Sequence, residues 1–389
     1  MRLRRCAIVH VEPRERLEFD LADLAQGGSG LRDVLEWVAL GPQFAEPVVL
    51  SASEVGALGQ ISPSQWRERD ALVAEHTQPL VDALLAKALL VAEDSIAAGA
   101  DAKTQATHWR TASAVMHYAS RWSGIDASEA QRQFSETDNG GDLLTRLGPP
   151  EPVVRERASA AARIALQRPA ESALEQLLRS RVTCRNFDRT RALSQEQFST
   201  VLYRAWGARA VHDFAPNVPL LKKGVPSAGG LHATEAYVLV QRVDGIAPGL
   251  YHYHPIDHAL EPLRELDAVE AAALALRFVA GQEYFVHAHV MVIAASRFRR
   301  TFWKYRNHAK AYRALVLDVG HLSQAQYLAA TEVGLAAFIT AAINEVDIEQ
   351  AFGLDPLEEG PLAVTGFGWR AAQQREIEWD PLNAVWPPQ

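Results

Sequence analysis

The sequence predicts an α+β protein: a sheet flanked by long helices in its C-terminal half, preceded by a small winged-helix-like domain and a helical segment. Three observations carry this expectation. Short apolar, β-branched runs at residues 236–240 and 289–296 alternate with long helix-period stretches such as 312–333. The N-terminal part has its own order of strand, helix, helix and apolar exit strand. The composition, 48% hydrophobic and 22% charged over 389 residues, is that of a globular chain with a substantial core. The expected division is 1–95, winged-helix-like; 96–165, helical segment and linker; and 166–389, the larger catalytic-looking domain.

The net charge of −8 is spread along the chain, which argues against a nucleic-acid partner held by bulk electrostatics. No stretch approaches the roughly 18 apolar residues of a spanning helix, and MRLRRCAIVHVEPRERLEFD reads as neither signal peptide nor membrane anchor. Cys6 and Cys184 form neither a disulfide framework nor a zinc spacing, so a reducing cytoplasm is expected.

From the N-terminus, residues 7–11 read as a strand and the glycines at 27–30 as a loop. LRDVLEWVAL (31–40) fits a strand or a short helix. In PVVLSASEVGALGQIS (47–62), Ser51 or Ser53 caps a helix whose apolar positions are Val55, Leu58 and Ile61. PLVDALLAKALLVAED (79–94) sets Leu80, Leu84, Leu85, Ala88 and Leu89 on one face of a second helix. That helix carries only Lys87 as a basic residue, too few for a DNA-reading helix. The pattern is closer to the peptide-recognising winged-helix modules similar to PqqD, which bind a peptide as an added strand at a sheet edge; a plain scaffold and, last, DNA binding are the other readings. Residues 95–101 read as a boundary, 104–134 as helical with His117 and Arg121 one turn apart, and 135–152 as a linker.

The chemistry-bearing half begins near Glu171. Residues 173–208 read as helix, loop and helix, with Ser194 as an N-cap. Arg181, Thr183 and Arg185 alternate along the extended connection, so two guanidiniums and a hydroxyl share one side and form an anion cradle. VPSAGGLHATEAYVLV (225–240) starts as a small-residue turn and ends as a strand. Pro226 fixes one dihedral, and Gly229 and Gly230 leave the backbone bare, so a flat ligand can lie against this backbone with Ser227 and nearby amides facing it. GLYHYHPIDHALEPL (249–263) reads as a hairpin. Its His252, His254 and His258 lack an Asp, Glu or Cys cluster at ligand spacing, and no metal is expected. The helix at 312–333 holds Gly320 in its middle, which implies close approach by another element. PLAVTGFGWR (361–370) reads as a strand closing on two glycines.

In this order and spacing, RSRVTCRNF, VPSAGGLHATEAYVLV, APGLYHYHPIDHALEPL, KYRNHAKAYR, DVGHLSQAQYLAATEVGL and TGFG resemble the nitroreductase superfamily. Within it the chain is similar to the SagB/McbC-type dehydrogenases, in the branch of peptide maturation dehydrogenases. The resemblance covers about residues 171–370. It implies a mainly antiparallel sheet flanked by helices and a homodimer holding FMN noncovalently near its interface. Arg181, Thr183 and Arg185 would grip the phosphate and ribityl chain, with residues 226–229 beside the ring. Further cofactor contacts would fall at Ala341 and Ala342, where many relatives have a polar residue and glycine, and at Arg370.

The family's Lys-Tyr pair falls on Lys304 and Tyr305, as base and relay in oxidising an azoline (thiazoline or oxazoline) of a ribosomally made precursor peptide to an azole. A lysine serves as base when partly neutral, which burial beside Arg300 or Arg306 would favour. Arg306, Asn307 and His308 replace the glycine and arginine expected after the pair. The alternatives are a flavin-dependent dehydroamino-acid reductase and an idle scaffold that binds a leader peptide. A cyclodehydratase or another peptide-modifying enzyme is the expected partner.

Overall fold

The computed structural model describes residues 1–127, 148–216, 218–306 and 308–387. The expected linker up to residue 147, the end of the helical stretch beyond residue 127, and Asn307 lie outside them. The chain forms two compact units.

The first unit comprises Met1–Arg121, Ser296–Leu317 and Gly353–Gly360. Its N-terminal part holds β1 (Arg2–Arg5), β2 (His10–Phe19), α1 (Leu21–Ala25), β3 (Leu31–Leu40), β4 (Val48–Leu50), α2 (Ala52–Gln60), β5 (Arg67–Glu68), α3 (Arg69–His76), α4 (Gln78–Ala86), β6 (Leu90–Ala92), α5 (Ile96–Ala106) and α6 (Thr111–Ala119). The strands make two antiparallel sheets, ordered β5-β1-β6 and β2-β3-β4. LRDVLEWVAL is the strand β3, in register with β2 from His10↔Leu40 to Phe19↔Leu31. The first expected strand therefore starts later than residue 7 and runs on through EPRERLEF. Glu12, Arg14, Arg16 and Glu18 alternate onto one face of β2. Arg14 pairs there with Glu12 at 2.7 Å, Arg16 with Glu36 at 3.3 Å, and Arg32 with Glu18 at 3.2 Å. Most of this strand is exposed on both faces, Leu17 and Phe19 included, so no amphipathic alternation marks it.

Helix α2 opens with a capping box: Ser51 Oγ accepts from the Glu54 amide at 3.2 Å, and Glu54 accepts from the Ser51 amide at 2.7 Å. Leu3, Leu50, Leu58, Leu72, Val81 and Leu84 are buried in one core. Residues 79–94 divide into α4 and β6 at Ala88, which takes a left-handed conformation with φ 54°. Helix α3 was not anticipated, and residues 95–101, expected as a boundary, open α5 under a Ser95 cap.

The second unit comprises Trp122–Ala295, Asp318–Phe352 and Pro361–Gln389. The chain continues through α7 (Ala173–Ser180), α8 (Gln195–Trp206), β7 (Ala208–Ala215), β8 (Val218–Lys223), β9 (Thr234–Val240), β10 (Gly249–His254), β11 (Ala259–Glu265), α9 (Ala268–Phe278), β12 (Val290–Arg297), α10 (Phe298–Tyr305), α11 (Lys310–Glu332), β13 (Ala336–Thr340), α12 (Glu345–Phe352) and β14 (Glu359–Gly368). Helix α10 and the start of α11 belong to the first unit. Six strands form one sheet in the order β11-β10-β9-β12-β14-β13, with antiparallel pairing of β9 to β10, β10 to β11 and β13 to β14. Every residue of β12 from Val290 to Ala295 is fully buried, as an interior strand covered on both faces must be. The expected 249–263 hairpin is β10–β11; the β7–β8 hairpin went unread.

Gly320 lies within α11 but has nothing within 4 Å of where a Cβ would stand, so no element approaches it closely. Close approach occurs instead in β14. A Cβ at Gly366 would stand 2.2 Å from the Phe338 ring, and one at Gly368 2.2 Å from His289 Nδ1.

Candidate active site

In the second unit, residues 225–233 turn from β8 into β9. One 3-10 turn covers Ala228–Gly230, with Gly229 at φ 61° and Gly230 at φ 70°, a region that favours glycine. Pro226 and Gly229 are exposed, and nothing lies within 4 Å of a Cβ position on Gly230. The turn is held from behind by Asp318 of α11, only 5% exposed, which accepts from Ser227 Oγ at 2.6 Å and from the Ala228 amide at 3.1 Å. Ser227 Oγ accepts in turn from the His232 amide at 2.9 Å. The Ser227 hydroxyl is thus spent on fixing the turn. Sequence reasoning missed Asp318; the signal was a lone carboxylate among the apolar positions of α11.

The 181–185 segment is extended, and its burial alternates as expected: Val182 and Cys184 are buried, Arg181, Thr183 and Arg185 half-buried. The Cys184 amide donates to the Ala337 carbonyl at 2.9 Å, docking the segment on β13. On the front face, the Arg181 guanidinium lies 5.4 Å from the Tyr327 ring centroid, and the Thr183 and Tyr327 hydroxyls are 2.9 Å apart. Burial pushes the Tyr327 phenol above its ordinary pKa, with Thr183 and Arg181 opposing. Arg185 lies over Tyr284, 5.0 Å from its centroid, and donates to the Ile377 carbonyl at 3.2 Å. Among the described residues neither guanidinium has a carboxylate partner.

Arg370 stands behind this segment. It is ion-paired with the fully buried Glu378 carboxylate and donates to the Val182 carbonyl at 3.4 Å. Burial pushes the neighbouring Cys184 thiol up to about 11, so it is a packed group rather than a nucleophile. Of the two alanines after β13, Ala341 is exposed, while Ala342 has its amide on Thr340 Oγ1 (3.2 Å) and its carbonyl on Gln282 Nε2 (2.8 Å).

Lys304 and Tyr305 close α10 in the first unit. Lys304 is exposed rather than buried, with Nζ 5.8 Å from the Tyr305 ring centroid; the Tyr305 and His308 rings are 5.7 Å apart. In the same unit an aromatic cluster joins Trp109, His117, Phe298, Phe302 and Tyr312. His117 Nδ1 shares a 3.0 Å hydrogen bond with the Tyr312 hydroxyl. Burial, helped by Arg121, pushes its pKa down to about 3, so His117 is a neutral core residue.

The three hairpin histidines go to separate partners. His252 binds Glu261 at 2.6 Å and lies 3.6 Å from Glu235; these two carboxylates, Glu235 foremost, raise its pKa against desolvation. His254 meets Asp257 at 3.2 Å, and His258 lies 2.7 Å from both the Tyr253 and Ser199 hydroxyls. No group of three or more His, Cys, Asp and Glu side chains suited to a metal ion gathers among the described residues.

A helix-flanked sheet with an extended basic segment docked on β13 and a clamped glycine turn defines the protein's class. Residues 178–369 match the profile of the Nitroreductase family. The chain is 30% identical over 198 residues to MJ1384 of Methanocaldococcus jannaschii, a protein named as a nitroreductase; the match covers 51% of this chain and 91% of MJ1384. The chain belongs to the nitroreductase family. It is also 31% identical over 152 residues to the trifolitoxin-processing protein TfxB of Rhizobium leguminosarum bv. trifolii, covering 37% of this chain and 39% of TfxB. To the microcin B17-processing protein McbC of Escherichia coli it is 25% identical over 160 residues, covering 40% of this chain and 57% of McbC. The chain thus spans less than two thirds of either processing protein.

Proposed function

We propose that the protein is an FMN-dependent oxidoreductase that matures a ribosomally made peptide, dehydrogenating an azoline to an azole. The observation that carries this reading is the front face of the 181–185 segment. Among the described residues the Arg181 and Arg185 guanidiniums have no carboxylate partner; Arg181 lies beside the Thr183–Tyr327 hydroxyl pair and Arg185 over Tyr284, in the unit that also holds a turn with bare backbone. Cations and hydroxyls of this kind suit the phosphate and ribityl chain of FMN, and the exposed backbone at Pro226 and Gly229 suits a flat ring. TfxB and McbC are named for processing peptide toxins, which favours a peptide substrate.

Arg181, Thr183 and Arg185 hold the phosphate and ribityl chain; the turn at residues 226–229 and Ala341 line the ring. Dehydrogenation removes a proton from the azoline Cα and a hydride from the adjacent carbon, leaving a new ring double bond. The cofactor supplies acceptance of that hydride. Lys304 takes the proton and Tyr305 orients the ring or relays the proton. Residues 1–95 hold the peptide, for which the ten-residue edge strand β2 offers a pairing surface. The active species is a homodimer in the cytoplasm, working beside a cyclodehydratase.

The first test is the absorbance spectrum of the purified protein, followed by identification of any released flavin; a colourless protein that takes up no FMN defeats the reading. With the cognate peptide, dehydrogenation is read as a two-dalton mass loss. Lys304→Ala is expected to lower turnover by about 10²–10⁴-fold with flavin still bound. Lys304→Arg is expected to fail too, because arginine keeps its proton. Full turnover in both variants moves the base to His308 or His321; Tyr253 is fully buried and bonded to His258.

A further inference from the structure

The residues just beyond the family-matched stretch are stitched to the back of the 181–185 segment. Glu378 sits at the centre of this stitching, its side chain fully buried. Its carboxylate accepts from the Arg185 amide at 2.6 Å, the Asn186 amide at 2.9 Å, Asn186 Nδ2 at 2.8 Å and Trp386 Nε1 at 2.8 Å, and it is paired with Arg370. Asn186 completes the lacing: its Oδ1 accepts from the Arg375 and Glu376 amides, and its Nδ2 donates to the Glu376 carbonyl. Two consecutive amides, a guanidinium and an indole N–H are the donors of an anion site. Here the chain fills that site with its own carboxylate.

The same tail also touches the cradle: the Arg185 guanidinium donates to the Ile377 carbonyl, one residue before Glu378, at 3.2 Å. Side chains of an extended segment alternate in direction: buried Val182 and Cys184 alternate with half-buried Thr183, and the Arg370 guanidinium reaches the Val182 carbonyl next to Cys184. We infer that Glu378 is a positioning residue: it holds Arg370 behind the segment and fixes the backbone at Arg185, so that Arg181, Thr183 and Arg185 face the cofactor phosphate. Arg370 is then a support and not a phosphate ligand. This inference rests on the flavin reading above.

The test compares FMN with riboflavin, which lacks the phosphate, on the flavin-stripped full-length chain by fluorescence titration. Glu378→Gln keeps an acceptor for the two amides but loses the charge that holds Arg370. It is expected to weaken FMN tenfold or more and leave riboflavin within about twofold, with Glu378→Ala more severe in the same direction. Arg370→Lys, which retains the ion pair, is expected to keep most of the preference for FMN. Trp386→Phe removes a single donor, and serves if the Glu378 variants do not fold; a smaller loss confined to FMN is then expected. Equal losses for both ligands, or no loss, overturn the inference by reducing Glu378 to general packing. Tighter FMN binding in Glu378→Gln overturns it in another way, since Arg370 would then be a ligand and Glu378 its competitor. If the wild-type chain binds neither flavin, the flavin reading itself fails, and this outcome is distinct from the others.

Discussion

At the scale of single residues, two buried carboxylates, Asp318 and Glu378, fix the backbone of the candidate site. Asp318 accepts one hydroxyl and one amide from the turn, and hydrogen bonds to a charged acceptor contribute about 1.5–3 kcal/mol each. Asp318→Asn retains the size but not the charge. It is expected to weaken FMN and riboflavin alike, about tenfold, because in the proposed function the turn serves the ring and not the phosphate; unchanged affinity for both would show that the turn holds itself. A second residue-scale prediction concerns acid stability. The His117 pKa falls from 6.5 in the unfolded chain to about 3 in the folded one, so below about pH 6.5 the unfolded state binds the extra proton. Stability is therefore full above pH 6.5 and declines toward pH 3, by up to roughly 1.4 kcal/mol per pH unit. His289, pushed down to about 4 by burial and Arg242, acts in the same sense. His117→Gln should therefore flatten the melting temperature against pH over this range without abolishing its slope. The alternation of Arg181, Thr183 and Arg185 was legible because strand period maps directly onto burial. Asp318 and Glu378 were not, since their meaning lies in amides distant in sequence.

At the scale of elements, the apolar strands β9 and β12 and the capped helix α2 could be read from local chemistry alone. Strand β3 was one of two local readings of its run, but β2 beyond Val11 could not be read, because Arg16–Glu36 and Arg32–Glu18 pair across strands, which no local window reports. Glycines show the same limit, and they give a paired prediction. Gly320→Ala, inside α11 with open space around it, should raise stability by up to about 1 kcal/mol through helix propensity. Gly366→Ala, whose Cβ would strike the Phe338 ring and stand 2.9 Å from the Val290 carbonyl, should lower it by about 1–3 kcal/mol or more. Chemical unfolding midpoints decide both. Shifts of the same sign would mean that the two sites are not packed as described.

At the scale of the whole molecule, residues far apart in sequence complete one core. The first unit's aromatic cluster draws Trp109 and His117 from its early stretch, and Phe298, Phe302 and Tyr312 from a later one. Trp109 Nε1 also donates to the Leu357 carbonyl at 3.0 Å, and Lys103 pairs with Asp355. Light scattering of the loaded protein at micromolar concentration is expected to give the dimer mass; a flavin-bearing monomer would remove the interface from the proposed site. The threading also has a consequence for synthesis. A ribosome delivers Trp109 and His117 long before the rings that enclose them, and chains grow at only about 5–20 residues per second. For ten seconds or more the nascent N-terminal stretch presents a bare indole and imidazole to its surroundings. Free chains truncated near residue 121 should therefore be protease-sensitive around α6 and bind hydrophobic dyes, and chains extended past residue 360 should not.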